Sequence, residues 1–112
     1  MSAITTHVLD TAHGRPAAGI PVRLERRSDD GWEELGRGTT DADGRCGALL
    51  AAGVEPTAGA YRLRFAVADY FAATATAAFY DRITVEFRVT DNGHHHVPLL
   101  LNPFGYTTYR GS

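Results

Sequence analysis

Two runs in this chain alternate apolar and polar residues with a period of two. That rhythm limits what the chain can fold into more than any other feature. In the run from Tyr61 to Val67, the side chains of Tyr61, Leu63, Phe65 and Val67 fall on one face and Arg62 and Arg64 on the other. In the second run Ile83, Val85, Phe87 and Val89 alternate with Thr84, Glu86, Arg88 and Thr90. Successive side chains of a strand point to opposite sides of its sheet, so each run predicts a half-buried strand. Weaker patterns predict further strands over Ile4 to Asp10, Ile20 to Ser28, Trp32 to Thr40, His94 to Leu101 and Gly105 to Arg110.

Turn residues punctuate these runs. His13-Gly14-Arg15-Pro16 separates the first strand from the second, and Asp29-Asp30-Gly31 predicts a hairpin in which glycine supplies a positive φ. Asp41-Ala42-Asp43-Gly44 predicts another hairpin turn, and Gly53 to Gly59 a longer loop. Many short strands at close spacing predict an all-β sandwich. One segment differs: Asp69 to Ala78 is alanine-rich and predicts a short surface helix with Asp69 as its N-cap.

A chain of 112 residues is expected to form a single domain over 1–112. Its 44% hydrophobic and 21% charged residues suit a soluble globular protein. With a net charge of −2 and arginines scattered along the strands, it carries no basic footprint for nucleic acid or for a membrane surface. No apolar stretch approaches the roughly 18 residues of a membrane helix. The opening MSAITTHVLD does not read as a secretory signal, and the last residues are not a peroxisomal address. The lone Cys46 cannot form an intrachain disulfide, which fits a reducing compartment. The expectation is a cytoplasmic protein.

The last nineteen residues, HHHVPLLLNPFGYTTYRGS, concentrate the chemistry. They set three histidines beside an apolar strand and end on Tyr109-Arg110-Gly111-Ser112, the composition of a recognition surface rather than of a loose tail. On a strand His94 and His96 share one face and His95 takes the other. Two histidines at that spacing can contribute to a zinc site, but no cysteine pair or acidic cluster nearby completes a ligand set, so a structural role is preferred and no metal is expected. Asp41, Asp43 and Gly44 suggest a calcium loop, yet aligning Gly44 with the loop glycine puts Leu50 where a bidentate glutamate is required. A turn fits better. Cys46 follows Arg45, which could stabilise a thiolate, but a buried cysteine acting as a small hydrophobe is the commoner outcome. Tyr106 and Tyr109 can equally be plain strand aromatics.

Three blocks together carry a resemblance: the opening THVLDTAHGRPAAGIPVRL, the turn TTDADGRCGALL and the closing HHHVPLLLNPFGYTTYRGS. They resemble the 5-hydroxyisourate hydrolases, the enzymatic branch of the transthyretin-like family, in order and over nearly the whole chain. The closing Tyr-Arg-Gly-Ser is the mark that separates these hydrolases from hormone-carrying transthyretins. The resemblance implies a two-sheet β-sandwich with one short helix, and a homotetramer, a dimer of dimers, with sites at the dimer–dimer interface. It places the family's pocket on His7, Arg45, His96, Tyr109, Arg110, Gly111 and Ser112. The sequence departs from the family where His95 replaces a frequent tyrosine, where Asn102 replaces a frequent serine, and where Phe79-Tyr80-Asp81 replaces Phe-Phe-Pro.

The implied substrate is 5-hydroxyisourate, an oxidised purine whose six-membered ring is opened at an amide bond. Water is a poor nucleophile at neutral pH, so a base must take its proton, and a neutral imidazole suits that task. Either His7 or His96 can be that base, with the other orienting the water or protonating the departing nitrogen. Arg45 suits the negative charge developing on the carbonyl oxygen. Tyr109 would stack on or hydrogen-bond the heterocycle, and Ser112 would close the pocket. No cofactor is expected. Two competing readings are a non-catalytic carrier of a small aromatic ligand, whose channel would be mostly apolar, and a metal-binding domain using His94 and His96.

Overall fold

The computed structural model describes residues 3–112. The strands are β1 (Ile4–Asp10), β2 (Arg15–Pro16), β3 (Pro21–Ser28), β4 (Gly31–Thr39), β5 (Arg45–Cys46), β6 (Gly59–Ala66), β7 (Arg82–Val89), β8 (His95–Asn102) and β9 (Gly105–Thr108), and the helix is α1 (Ala68–Ala73). One sheet has the order β2-β1-β8-β9, with β5 also pairing to β1, and the other has the order β4-β3-β6-β7. The architecture is the expected two-sheet sandwich with one short helix.

Alternation explains how the layers close. In β6, Tyr61, Leu63 and Phe65 are buried, and in β7 so are Ile83, Val85 and Val89. From the other sheet come Ile4 and Val8 of β1 and Val97, Leu99 and Leu101 of β8. Each large apolar side chain removed from water in this way contributes about 1.5–3 kcal/mol. Phe71 is the buried anchor of α1.

The pairing that matters for the site joins the two ends of the chain. β1 and β8 run parallel, with Thr5 beside His96 and His7 beside Pro98. Adjacent parallel strands need a crossover, and here nearly the whole intervening chain, including the second sheet, supplies it.

Several expectations are corrected. The helix runs over Ala68–Ala73, not Asp69 to Ala78, and its N-cap is Val67 without a side-chain cap; Asp69 sits inside the first turn. The threonines end it. Thr74 Oγ1 donates toward the carbonyls of Tyr70 and Phe71 at 3.2 and 3.1 Å, and Ala75 takes a φ of +53°. Such local hydroxyl bonds compete with helix propagation. β2 and β5 are not anticipated, because two-residue strands carry no readable period. His94 precedes its strand, and Tyr109 and Arg110 follow the end of theirs.

Asp41 to Gly44 form a tight turn. Asp41 Oδ1 accepts from the backbone N–H groups of Asp43 and Arg45 at 2.9 and 3.0 Å. The turn does not close a hairpin, since it carries the chain from β4 in one sheet to β5 in the other. Gly44 is required there. Its φ is +77°, and a Cβ would fall 2.3 Å from the Val8 carbonyl oxygen. Cys46 is buried, and burial pushes its thiol pKa up, away from reactivity. Among the described residues no helix is long and apolar enough to cross a membrane.

Candidate active site

Burial along β1 alternates strictly, so Ile4, Thr6, Val8 and Asp10 face the core while Thr5, His7 and Leu9 face outward. The outward face of this sheet is where the predicted residues meet. His7 lies directly opposite Arg45 in the antiparallel β1–β5 ladder, and such cross-strand neighbours project to the same side. Thr5 lies beside His96 across the parallel ladder. Residues of three strands far apart in sequence thereby share one surface.

The end of the chain is tied to this surface. The N–H of Gly111 donates to the His96 carbonyl at 2.8 Å. A Cβ at Gly111 would sit 2.6 Å from His96 Cδ2 and 3.1 Å from Pro98 Cγ, so only glycine lets the tail approach this closely. Ser112 is thereby held against a cleft of about 260 Å³ that it lines together with Thr5, Arg45, Cys46, His94 and His96.

The imidazoles are held individually. His7 Nε2 lies 2.8 Å from the Asp43 carbonyl oxygen. A carbonyl can only accept, so Nε2 carries the proton and Nδ1 is left as the acceptor of the neutral ring. His96 Nδ1 lies 2.8 Å from Thr5 Oγ1, and His94 Nε2 lies 2.9 Å from the same oxygen. The His94 and His96 rings stack with centroids 6.2 Å apart. Burial first, then the nearby Arg45 guanidinium with smaller effects from the neighbouring His94 and His7 rings, holds the His96 pKa below the usual histidine value. The neutral ring is therefore favoured. Arg45 is exposed and has no carboxylate in ion-pairing contact among the described residues. Its charge is free to meet an anion.

Not all the predicted residues share the cleft. His7 does not line it, though it pairs with Arg45 across the β1–β5 ladder. Tyr109 and Arg110 line a neighbouring cleft of about 310 Å³, with Val85, Phe87, His95 and Val97, between the chain end and β7. Among the described residues, only His96 borders both clefts. Within one chain Tyr109 lines the neighbouring cleft and not the His96–Arg45 cleft. Thr5 is the site residue that the sequence reading missed. It lies two positions before His7 in a period-two strand, and that spacing was signal enough to put both on one face. Among the described residues no three His, Cys, Asp or Glu side chains gather to hold a metal ion. The Thr5 hydroxyl already lies between the facing nitrogens of His94 and His96.

The profile of the HIUase/transthyretin family matches residues 4–111. The 5-hydroxyisourate hydrolase of Mesorhizobium japonicum is 48% identical over 97% of this chain and 91% of its own length. Among solved structures, the 5-hydroxyisourate hydrolase of Klebsiella pneumoniae superposes with a TM-score of 0.84 at 36% identity, over 100% of this chain and 94% of that one. Sea bream transthyretin in complex with thyroxine superposes with a TM-score of 0.88 at 30% identity, over 97% of this chain and 94% of that one.

Proposed function

The chain belongs to the HIUase/transthyretin family, and from that premise we infer that it is a hydrolase that opens the ring of 5-hydroxyisourate at an amide bond. The observation that carries this reading is the meeting of His96, Arg45 and His7 on the outer face of one sheet, with the chain end tied to His96. A carrier of an aromatic ligand needs an apolar channel with few convergent polar groups. The convergence of Arg45, His94, His96 and Ser112 on this cleft, together with relatives named as hydrolases, favours the enzyme over the carrier.

In the proposed reaction His96 is the general base. Its lowered pKa keeps the ring unprotonated near neutrality, ready to accept a proton as water attacks the ring carbonyl. Charge then grows on the carbonyl oxygen, where the Arg45 guanidinium stabilises it. The carbon–nitrogen bond breaks, a carboxylate forms, and the nitrogen leaves with a proton. His7, whose Nδ1 is left as an acceptor, stands beside Arg45 to orient the water, and the proton taken up by His96 passes to the departing nitrogen. Gly111 and Ser112 wall the substrate in.

Tyr109 and Arg110 are assigned to substrate binding together with a second copy of the chain, because they border the adjoining cleft rather than this one. This fits a homotetramer in which another subunit covers the sheet face, and light scattering tests it through the particle mass. A cytoplasmic location is consistent with the free buried thiol of Cys46. The decisive experiment follows the ultraviolet absorbance of freshly generated 5-hydroxyisourate, which also decays alone. Decay faster than the spontaneous rate supports the reading, and an unchanged rate at micromolar protein rejects it.

A further inference from the structure

Thr5 Oγ1 lies between two imidazole nitrogens, 2.8 Å from His96 Nδ1 and 2.9 Å from His94 Nε2. A hydroxyl has one proton to give, and its destination decides which nitrogen of His96 is free. If Thr5 donates to His94 it accepts from His96 Nδ1–H, which leaves the Nε2 lone pair of the neutral ring for the cleft. If Thr5 donates to His96 instead, the ring proton must sit on Nε2, and His96 can only donate.

We propose that His94, acting through the Thr5 hydroxyl, fixes the tautomer of His96 so that Nε2 faces the cleft as an acceptor. Thr5 and His94 are positioning residues in this scheme, which rests on the reading of His96 as the base. Register supports it, since Thr5 is the β1 residue directly beside His96 and its hydroxyl is delivered by the backbone pairing. The near-parallel stacking of the two rings, 22° apart, supports it too, because it brings His94 Nε2 to the oxygen that His96 Nδ1 also meets. The proton count over a turnover gives a third reason. When Nε2 takes a proton from water, Nδ1–H goes on donating to Thr5 and nothing has to rotate. In the opposite arrangement the new imidazolium would place its Nδ1 proton against the Thr5 proton, and the hydroxyl would have to turn during the reaction. Preorganised partners avoid that cost.

The test combines nitrogen NMR of the histidine rings with turnover of 5-hydroxyisourate, using the whole protein. The expected wild-type result is a His96 ring with its proton on Nδ1. Thr5→Val keeps the side-chain shape and removes the hydroxyl. It is expected to move the proton toward Nε2 and to lower kcat by about tenfold or more, while KM stays within about threefold. Thr5→Ser should recover most of the lost rate. His94→Phe, on an exposed residue, keeps a ring for stacking and should shift the tautomer and kcat in the same direction by a smaller factor. A wild-type His96 protonated on Nε2, or a tautomer and kcat indifferent to both Thr5→Val and His94→Phe, overturns the proposal. Full turnover in His96→Gln would remove His96 from the base role. The tautomer spectra would still decide whether Thr5 and His94 control the ring.

Discussion

The outer faces of the two sheets follow the same alternation and use their polar residues differently. On the second sheet Arg23, Arg37 and Arg62 are matched by carboxylates, though not every arginine there is. Arg62 Nε meets Glu25 Oε1 at 2.6 Å and its guanidinium lies 4.2 Å over the Trp32 ring, while Arg23 and Arg37 share Glu34 at 2.9 and 2.8 Å. On the first sheet Arg45 has no such carboxylate among the described residues, and His7, His94 and His96 bond to a hydroxyl and a backbone carbonyl rather than to acids. Where a guanidinium is answered by a carboxylate, the surface is finished. A face with an unanswered cation beside imidazoles can still respond to a substrate that develops negative charge.

The contrast is broken or sharpened most strongly at Arg45. Arg45→Ala is expected to lower kcat/KM about a hundredfold or more, roughly 2.7 kcal/mol of transition-state stabilisation, with the unfolding midpoint nearly unmoved. A wild-type rate would erase the distinction between the faces. A stability effect belongs next, at Asp10 on the inward side of β1. Its carboxylate accepts from Tyr70 at 2.6 Å and from His13 at 2.7 Å, as well as from two backbone N–H groups. Asp10→Asn is expected to destabilise by about 1–3 kcal/mol in denaturant unfolding, since buried partners are left mismatched. Burial raises the Asp10 pKa, but the bonds from Tyr70 and His13 outweigh it and leave the pKa below the usual carboxylate value. A lowered folded-state pKa means stabilisation that is complete above the unfolded value of 3.8 and lost as pH falls through the folded one. Thermal melts of the wild type should therefore drop below about pH 4 more steeply than those of Asp10→Asn.

At the chain end, Gly111→Ala forces a Cβ into the His96 ring. The tail should unseat and the rate fall about tenfold, or 1.4 kcal/mol, with little change in unfolding. A milder effect is expected from pH. With the folded His96 pKa below 6.5, the neutral base persists at pH 6.5 and the rate declines only on further acidification. Arg45→Gln removes one of the secondary causes of that shift, so the acid limb of the residual activity should move toward higher pH. The smallest effect belongs to the second sheet. Arg37 and Glu34 hold each other at 2.8 and 3.0 Å on an exposed face. Such pairs contribute little, and Arg37→Ala should leave turnover unchanged in the same absorbance assay.

The strands were legible where side chains alternate over a long enough run, as in Tyr61 to Val67, because burial on one face is written into the residues themselves. The helix was half legible. Alanines announced it, but the bonds made by Thr74 and the positive φ of Ala75 stopped it early. The site was legible as a set of residue types and through its likeness to the family, and illegible as geometry. Nothing in the sequence says that Tyr109 and Arg110 border a different cleft from Ser112.

By itself the sequence determined the alternating faces, the turns that need glycine or aspartate, and the family to which the chain belongs. Only the tertiary structure decided that Arg45 stands opposite His7, that Thr5 bridges His94 and His96, and that Gly111 leans on an imidazole. The reason is physical. Which face a side chain takes is a local property with a period of two, whereas which residues become neighbours depends on the register between strands. Here that register joins segments from the two ends of the chain.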